Sequence, residues 1–460
     1  MIQRVSHPLL TRFVLDYESP PMPALAPEIR PPDATIVPSG KGFYGGYSSV
    51  AERRSVAPDV VGSTPTSRPK FCCNCRESPA QNFVMRPDPL APQAAPGDPV
   101  PPTPSIQSAA LAVPPWFIPF APRRYLGQTV SQPDAQTILA NFLPRNIQLP
   151  TPESILVEVE AATQSRVLCH CHWQPEPVRK ERMTLLLLHG LEGSSQSQYI
   201  IGNTGKAIRA GWNVIRMNMR NCGGTEAVSP TLYHSGLSGD VAAVAEYFVA
   251  REQLRNLSLV GYSMGGNMVL KCAGEWGKES PQWLRAVVGV SPVVDLAASA
   301  DALHSLRNRV YEWNFLLNML RCYRKKSKLF PDHFPIEPSR QVSSIRAFDE
   351  YIVSPNCNFL NADDYHYRAA AARIVDRIAV PTLILHSLDD PFIRLLPETR
   401  EKILANPAIT LIETTHGGHC AFLSQPEGED DGYWAEQTLI RFIAFQMSAE
   451  NIKNNGVVAP

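Results

Sequence analysis

Three polar residues, far apart in the chain, could together perform nucleophilic catalysis. Ser263 lies between two glycines, Gly261 and Gly265. Asp390 and His419 follow it, in that order. A serine hydroxyl is a weak nucleophile until a base removes its proton. A histidine can act as that base, and an aspartate can fix the histidine's tautomer and stabilise its protonated form. These residue types predict catalysis through an acyl-serine intermediate.

Both downstream partners have a neighbour of the same type. Asp389 precedes Asp390, and His416 precedes His419. We favour Asp390 because an aspartate followed by proline and apolar residues is the usual form of such a loop, and Asp389 stays open as the alternative. We favour His419 because two glycines leave it an uncluttered approach, whereas His416 could simply end a strand.

The segment around Ser263 has the pattern of a strand followed at once by a helix. LSLV (257–260) is typical of a buried strand, and MGGNMVLKCAGEW (264–276) is typical of a helix. So sharp a turn requires small neighbours, which accounts for Gly261 and Gly265 as elbow residues. The start of the helix also favours negative charge at the serine. This context favours a catalytic serine over a serine in a plain glycine turn.

The same alternation continues through the organised part of the chain. MTLLLLHG (183–190) and PTLILHSLDD (381–390) indicate buried strands, and GDVAAVAEYFVAREQL (239–254) indicates an amphipathic helix. We therefore predict an α/β fold, with a mostly parallel central sheet and helices on both faces. The irregular stretch from about 297 to 370 predicts a helical cap inserted over the carboxyl edge of the sheet.

With these residues assembled, the chain resembles the α/β-hydrolase superfamily and, within it, the YheT-like hydrolases. The order serine, acid, histidine is the one that this superfamily uses. The resemblance covers roughly residues 115–447. It is carried by FAPRRYLGQTVSQPDAQTI (120–138), HGLEGSSQSQY (189–199), NMRNCGGTEAVSPTLYHSGLSGDV (218–241), DDPF (389–392) and THGGHCAF (415–422).

The resemblance implies an α/β-hydrolase fold and a serine esterase that needs no cofactor and no metal. Its substrates would be carboxylic esters, with acylglycerols or other lipid esters among them. An oxyanion hole would come from the backbone N–H groups of Leu191, in the His-Gly turn, and Met264, after the nucleophile. A thioesterase or acyltransferase would use the same triad, and a non-catalytic scaffold is the remaining alternative. We can derive no role for NCGG (221–224) or LYHSG (232–236).

Two cysteine clusters need to be weighed as metal sites. CCNC (72–75) lacks a second half with zinc-site spacing, and CHCH (169–172) lies in a predicted strand. Alternation along that strand would place its cysteines on one face and its histidines on the other, so the four side chains would not converge. The ten cysteines therefore predict free thiols and a cytoplasmic protein.

Charge and hydropathy limit the classes of molecule that this protein is expected to bind. Basic and acidic residues each number 43, so the formal net charge is zero, which argues against a nucleic-acid binder. No run approaches the roughly 18 apolar residues of a transmembrane segment. We expect a small-molecule or lipid ester substrate. RCYRKKSK (321–328) beside an apolar helix suggests weak membrane-surface contact through the cap, with a solvated face as the alternative.

The N-terminal quarter differs in composition from the rest. Residues 1–122 contain 24 of the 43 prolines and keep no regular apolar period. We predict a disordered extension over 1–114, the α/β-hydrolase domain over 115–447 and a disordered tail over 448–460.

A second hypothesis concerns residues 1–84. The segments 48–50 and 62–65 can be encoded by the D-arm and TΨC-arm consensus of a transfer RNA gene. An over-extended gene model that reads through such a gene would account for this, with the true start near Met85. An ordinary disordered extension is the alternative.

Overall fold

The computed structural model of the chain describes residues 114–125 and 128–454. These residues fall within one compact unit. The predicted extension before residue 114, the CCNC segment and the gene-model hypothesis lie outside the described residues. The domain boundaries stay predictions.

The described residues form one large sheet and one short antiparallel ladder. The strands are β1 (Arg124–Tyr125), β2 (Gln128–Thr129), β3 (Glu153–Glu160), β4 (Ser165–His172), β5 (Thr184–Leu188), β6 (Asn213–Met217), β7 (Leu257–Tyr262), β8 (Leu284–Val290), β9 (Thr382–Ser387) and β10 (Ile409–Thr414). Strands β1 and β2 form the ladder. The other eight lie in the order β10-β9-β8-β7-β5-β6-β4-β3.

The sheet is parallel except at one edge. Strands β3 and β4 form an antiparallel hairpin there, and β4 also pairs antiparallel with β6. The sequence of strand β5 is apolar throughout because both of its faces are buried. Leu185 and Leu187 pack in the core on one face, while Leu186 and Leu188 pack in the core on the other. A strand covered on both faces has no solvent side, which favours a continuous apolar run.

Eleven α-helices of the described chain surround this sheet. They are α1 (Pro133–Phe142), α2 (Gln198–Arg209), α3 (Ser238–Glu252), α4 (Met264–Trp276), α5 (Leu296–Leu303), α6 (Arg309–Leu329), α7 (Ile345–Phe348), α8 (Ser354–Asn356), α9 (Ala362–Ala369), α10 (Pro397–Ala405) and α11 (Trp434–Asn454). Helices α2 and α11 contribute to the core on one face of the sheet, whereas α3, α4 and α10 contribute to the core on the other. The predicted α/β fold is confirmed.

Helices α5 to α9 lie in sequence between β8 and β9, and we call them the cap helices. None of the helices in the described part of the chain is both long enough and apolar enough to cross a membrane.

The strand order reverses at the centre of the sheet. Strand β5 has β6 on one side and β7 on the other, so the chain leaves β5 first in one direction and later in the opposite one. In open α/β sheets, such a reversal leaves a crevice at the carboxyl ends of the strands, where ligands bind. The turn after β5 and the turn after β7 therefore meet at this crevice.

Candidate active site

Ser263 occupies the turn between β7 and α4. Its φ of +53° is a left-handed conformation that a side chain with a Cβ atom rarely adopts. The flanking glycines make this turn possible. A Cβ atom on Gly261 would lie 2.7 Å from the backbone nitrogen of Gly266, and one on Gly265 would lie 2.7 Å from the carbonyl oxygen of Leu188.

Backbone hydrogen bonds hold this strained turn in place. The N–H of Ser263 donates to the carbonyl of Val290 over 2.9 Å, and the Ser263 carbonyl accepts from the N–H of Asn267 at 3.1 Å and of Val293 at 3.2 Å. Within residues 114–125 and 128–454, the Oγ atom of Ser263 makes no hydrogen bond. The Ser263 hydroxyl is thus held in the turn with no hydrogen-bond partner among these residues.

The turn after β5 lies directly against the serine. A Cβ atom on Gly190 would stand 3.1 Å from the Cβ of Ser263. His189 Nδ1 donates to the Gly190 carbonyl over 2.8 Å, while its Nε2 accepts from the N–H of Met219 at 3.1 Å. Burial lowers the pKa of His189 to about 4, so the ring is neutral and fixed in one tautomer. Tyr199 Oη accepts the Gly190 N–H at 2.9 Å.

Two backbone donors beside this turn are unused. The N–H groups of Leu191 and Met264 donate to no acceptor in the described residues. Leu191 belongs to the turn that touches Ser263, and Met264 is the first residue of α4. Unused N–H groups at such positions are suited to bind an anionic oxygen.

Asp390 and His419 form a hydrogen-bonded pair at the ends of adjacent strands β9 and β10. His419 Nδ1 lies 2.8 Å from Asp390 Oδ2. The other carboxylate oxygen, Oδ1, accepts the N–H groups of Phe392 at 3.1 Å and Ile393 at 2.9 Å. Asp390 is only 4% exposed. In the neutral form of His419, this pairing places the proton on Nδ1 and leaves Nε2 as the acceptor.

Asp389 and His416 are arranged differently. Asp389 Oδ1 accepts from Ser387 Oγ and from the N–H of Gly418, the latter at 2.9 Å. Its Oδ2 lies 3.5 Å from His416 Nδ1, and the His416 side chain is 44% exposed against 11% for His419. Asp389 therefore supports the glycine turn before His419, and His416 lies at the surface.

The Nε2 atom of His419 faces a thiol in this structure. It lies 3.5 Å from Cys420 Sγ, and the described residues include no hydrogen bond between His419 and Ser263. The ring also packs on Phe392, with 4.4 Å between the ring centroids. Burial lowers the pKa of His419, but Cys420 and Asp390 raise it by more, so its pKa lies above its usual range.

Helix α1 contributes two positioning side chains that the motif analysis did not identify. Thr137 Oγ1 accepts the backbone N–H of His419 at 2.9 Å and donates to the Pro133 carbonyl over 2.8 Å. Gln136 is fully buried, and its Oε1 accepts the N–H of Leu423 at 2.8 Å. Both residues lie in the stretch 120–138, which resembles the YheT-like hydrolases. That resemblance was the one indication of them in the sequence, and it assigned them no role.

The LYHSG (232–236) and CHCH (169–172) segments make structural contacts of their own. In LYHSG (232–236), the ring of His234 accepts the N–H of Gly236 at 3.1 Å, and burial lowers its pKa to about 3. In the strand that contains CHCH (169–172), both cysteines are buried in the core, whereas His170 contacts Ser154 and His172 contacts Arg216 on the other side. The CHCH side chains diverge, as alternation requires.

Comparison with known proteins places this arrangement in a family. A family model described as the alpha/beta hydrolase fold matches residues 184–426. The protein YheT of Escherichia coli, whose name describes it as an esterase, is 32% identical over 257 residues, which are 55% of this chain and 74% of that protein.

Two further relatives match less of their own length. Phospholipase ABHD3 of Bos taurus is 26% identical over 60% of this chain and 65% of its own. A monoacylglycerol lipase of Saccharomyces cerevisiae is 26% identical over 56% of this chain and 58% of its own. Together with the fold, these matches show that the chain belongs to the α/β-hydrolase family and, within it, to the YheT-like proteins.

Proposed function

We propose that Ser263, His419 and Asp390 form the catalytic triad of a serine esterase. The observation that carries this proposal is the buried Asp390–His419 hydrogen bond of 2.8 Å, at the same edge of the sheet as a serine held in a strained turn. Such a pair leaves one imidazole nitrogen free as a general base. The triad order and the fold are those of the family to which the chain belongs.

The chemistry proceeds in two halves. Ser263 Oγ attacks the ester carbonyl carbon as His419 Nε2 takes its proton, and the carbonyl oxygen becomes an oxyanion bound by the N–H groups of Leu191 and Met264. Collapse breaks the ester C–O bond, and His419 gives the proton to the leaving alcohol. Water, deprotonated by His419, then attacks the acyl-serine, and cleavage of the acyl–Oγ bond releases the acid while His419 returns the proton to Ser263 Oγ. Nε2 must leave Cys420 to serve Ser263, and such hydrogen bonds often tighten only with substrate bound.

Ester hydrolysis is the activity that the relatives' names share. They describe an esterase, a phospholipase and a lipase, and the prediction of a carboxylic ester hydrolase is confirmed at this level. For the substrate, we propose acylglycerols or other lipid esters. Two of those names support this proposal, and so does Phe392, which packs on His419 and extends the aromatic surface to Tyr311 of α6.

A weak contact of the cap with a membrane surface is a further part of the proposal. In the basic segment 321–328, Lys326 is buried and donates to the carbonyls of Glu226 and Ser229. Its remaining cations, Arg321, Arg324, Lys325 and Lys328, are exposed. At the other end of α6, apolar side chains are exposed. A helix with exposed cations and exposed apolar residues can rest on anionic lipid.

The decisive experiment compares the wild type with Ser263→Ala. We expect a fluorophosphonate probe to label the wild type alone, and hydrolysis of p-nitrophenyl esters to fall by at least about a thousandfold in the variant. Ser343→Ala, a change at an exposed serine of the cap region, is the matched control. Equal labelling of wild type and Ser263→Ala would contradict the proposal.

The same assay separates the alternative activities. A series of acyl chain lengths presented as oxygen esters and as thioesters tests the esterase against a thioesterase. Faster turnover of thioesters at every chain length would favour the alternative, and preference for long-chain oxygen esters would support lipid substrates.

A further inference from the structure

Glu192 has an unusual conformation at the centre of the candidate site. It follows Leu191 directly, and its φ is +56°. A residue other than glycine in this region is strained and persists only where its surroundings hold it. The turn around it is closed by the hydrogen bond of 3.1 Å from Gly193 to Gly190. These backbone contacts do not account for the position of the Glu192 side chain.

One side-chain contact holds Glu192. Tyr233 Oη donates a hydrogen bond to Glu192 Oε1. Tyr233 belongs to the LYHSG segment (232–236), for which the sequence provided no role. The tyrosine also packs against the core on the α3–α4 face of the sheet. The Glu192 side chain is thus anchored to a loop that is distant in sequence. Glu192 itself directly follows Leu191, whose N–H is unused.

The surroundings of this pair come from the loop after β6 and from α6. Two thiols face the pair: Cys222 is buried, and Cys322 of α6 reaches the Asn221 carbonyl at 3.8 Å. The Glu226 carboxylate also acts on Glu192 electrostatically, and Lys325 pairs with Glu226 at 2.9 Å. Lys326 is directed at backbone carbonyls of the same loop. Neither cation makes a hydrogen bond or ion pair with Glu192.

These surroundings favour the protonated carboxyl. Burial raises the pKa of Glu192 to about 7, against the opposing effect of the Tyr233 hydrogen bond and with a further increase from Glu226. Burial also raises the pKa of Tyr233 well above its usual value, so the phenol stays a donor. Glu192 therefore changes charge near neutral pH.

We propose that Glu192 is a positioning residue of the oxyanion hole, which holds the Leu191 N–H toward Ser263 through its hydrogen bond to Tyr233 and acts in its protonated form. The inference rests on the proposed function. Glu192 directly follows Leu191, so an ionised Glu192 would add a negative charge to the turn that has to stabilise the developing oxyanion.

The test uses Glu192→Gln, which keeps an acceptor for Tyr233 but cannot ionise. The ratio of wild-type to variant kcat cancels the titration of His419, which both proteins share. We expect this ratio to be within about twofold of one at pH 6 and to fall severalfold as pH rises through about 7. The matched control is Glu181→Gln, a change at an exposed acid. A ratio that stays constant from pH 6 to 8.5 would overturn the protonated-form assignment.

Tyr233→Phe tests the anchor itself. Loss of the Oη donor should lower kcat by about tenfold or more, with KM within about twofold, because misplaced catalytic groups weaken transition-state binding. An unchanged kcat, in a protein that melts at the wild-type temperature, would overturn the positioning role. If Ser263 is labelled normally and these variants match the wild type, only this inference fails. If Ser263→Ala is labelled like the wild type, the proposed function fails first.

Discussion

At the scale of single residues, burial and hydrogen bonding separate two adjacent aspartates. Asp390 is buried, binds His419 and has its second oxygen satisfied by two backbone N–H groups. Asp389 instead binds the turn at Gly418 and faces the exposed His416. A carboxylate can orient an imidazole only where both are held, so the two residues should differ sharply in their effect on catalysis.

Asparagine substitutions test this difference. We expect Asp390→Asn to lower kcat by roughly 10⁴-fold, because the amide would favour the wrong tautomer of His419. Asp389→Asn, which is nearly the same size and lies one residue away, should lower kcat by less than about tenfold. Steady-state kinetics on a p-nitrophenyl ester provide the comparison. The reverse order of the two losses would assign the acid to Asp389.

At the scale of elements, helix α1 packs against the loop after β10, which contains His419, and helps to position it. A Cβ atom on Gly418 would lie 2.6 Å from Thr137 Oγ1, so the loop and the helix are in close contact. Thr137 also accepts the His419 N–H. The loop after β10 is therefore positioned by a helix that precedes the whole parallel sheet in sequence.

Thr137→Val removes this acceptor and preserves the shape of the side chain. The His419 N–H would lose its partner, which costs about 1–3 kcal/mol in a buried site. We expect slower phosphonylation of Ser263 and a kcat lower by about tenfold. Thr137→Ser should restore both, since it retains the hydroxyl. A Thr137→Val enzyme with wild-type kcat would show that α1 does not position the histidine.

At the scale of the whole molecule, α6 links the loop after β9 to an exposed apolar surface. Tyr311 contacts Phe392, which packs on His419. Leu306, in the short turn before α6, is 86% exposed, and Val310 and Trp313 of α6 are 75% and 51% exposed. A spacing of three residues places Val310 and Trp313 on one side of α6. A lipid surface at this side would lie close to the site.

Vesicle flotation tests that arrangement. We expect binding to vesicles that contain anionic lipid to weaken by severalfold in Val310→Glu, because a charge would replace an apolar contact. Leu360→Glu is the matched control, since Leu360 is also exposed but lies outside α6. Flotation that is equal for both variants and independent of anionic lipid would contradict membrane contact through α6.

The sequence by itself determined the fold class and the turn at Ser263. Both depend on local rules: alternate leucines of β5 enter two cores, and the glycines beside Ser263 satisfy a steric need within a few residues. The apolar period and the small residues are visible in the chain without knowledge of its distant contacts.

Only the tertiary structure decided which aspartate meets which histidine, and which other residues support them. Asp389 and Asp390 differ little in sequence context, yet only Asp390 is buried with both oxygens bonded to the loop and to His419. Thr137 lies 282 residues before the histidine whose backbone it binds. Tyr233 lies 41 residues after Glu192. Such pairings follow from the packing of whole elements, which no short motif encodes.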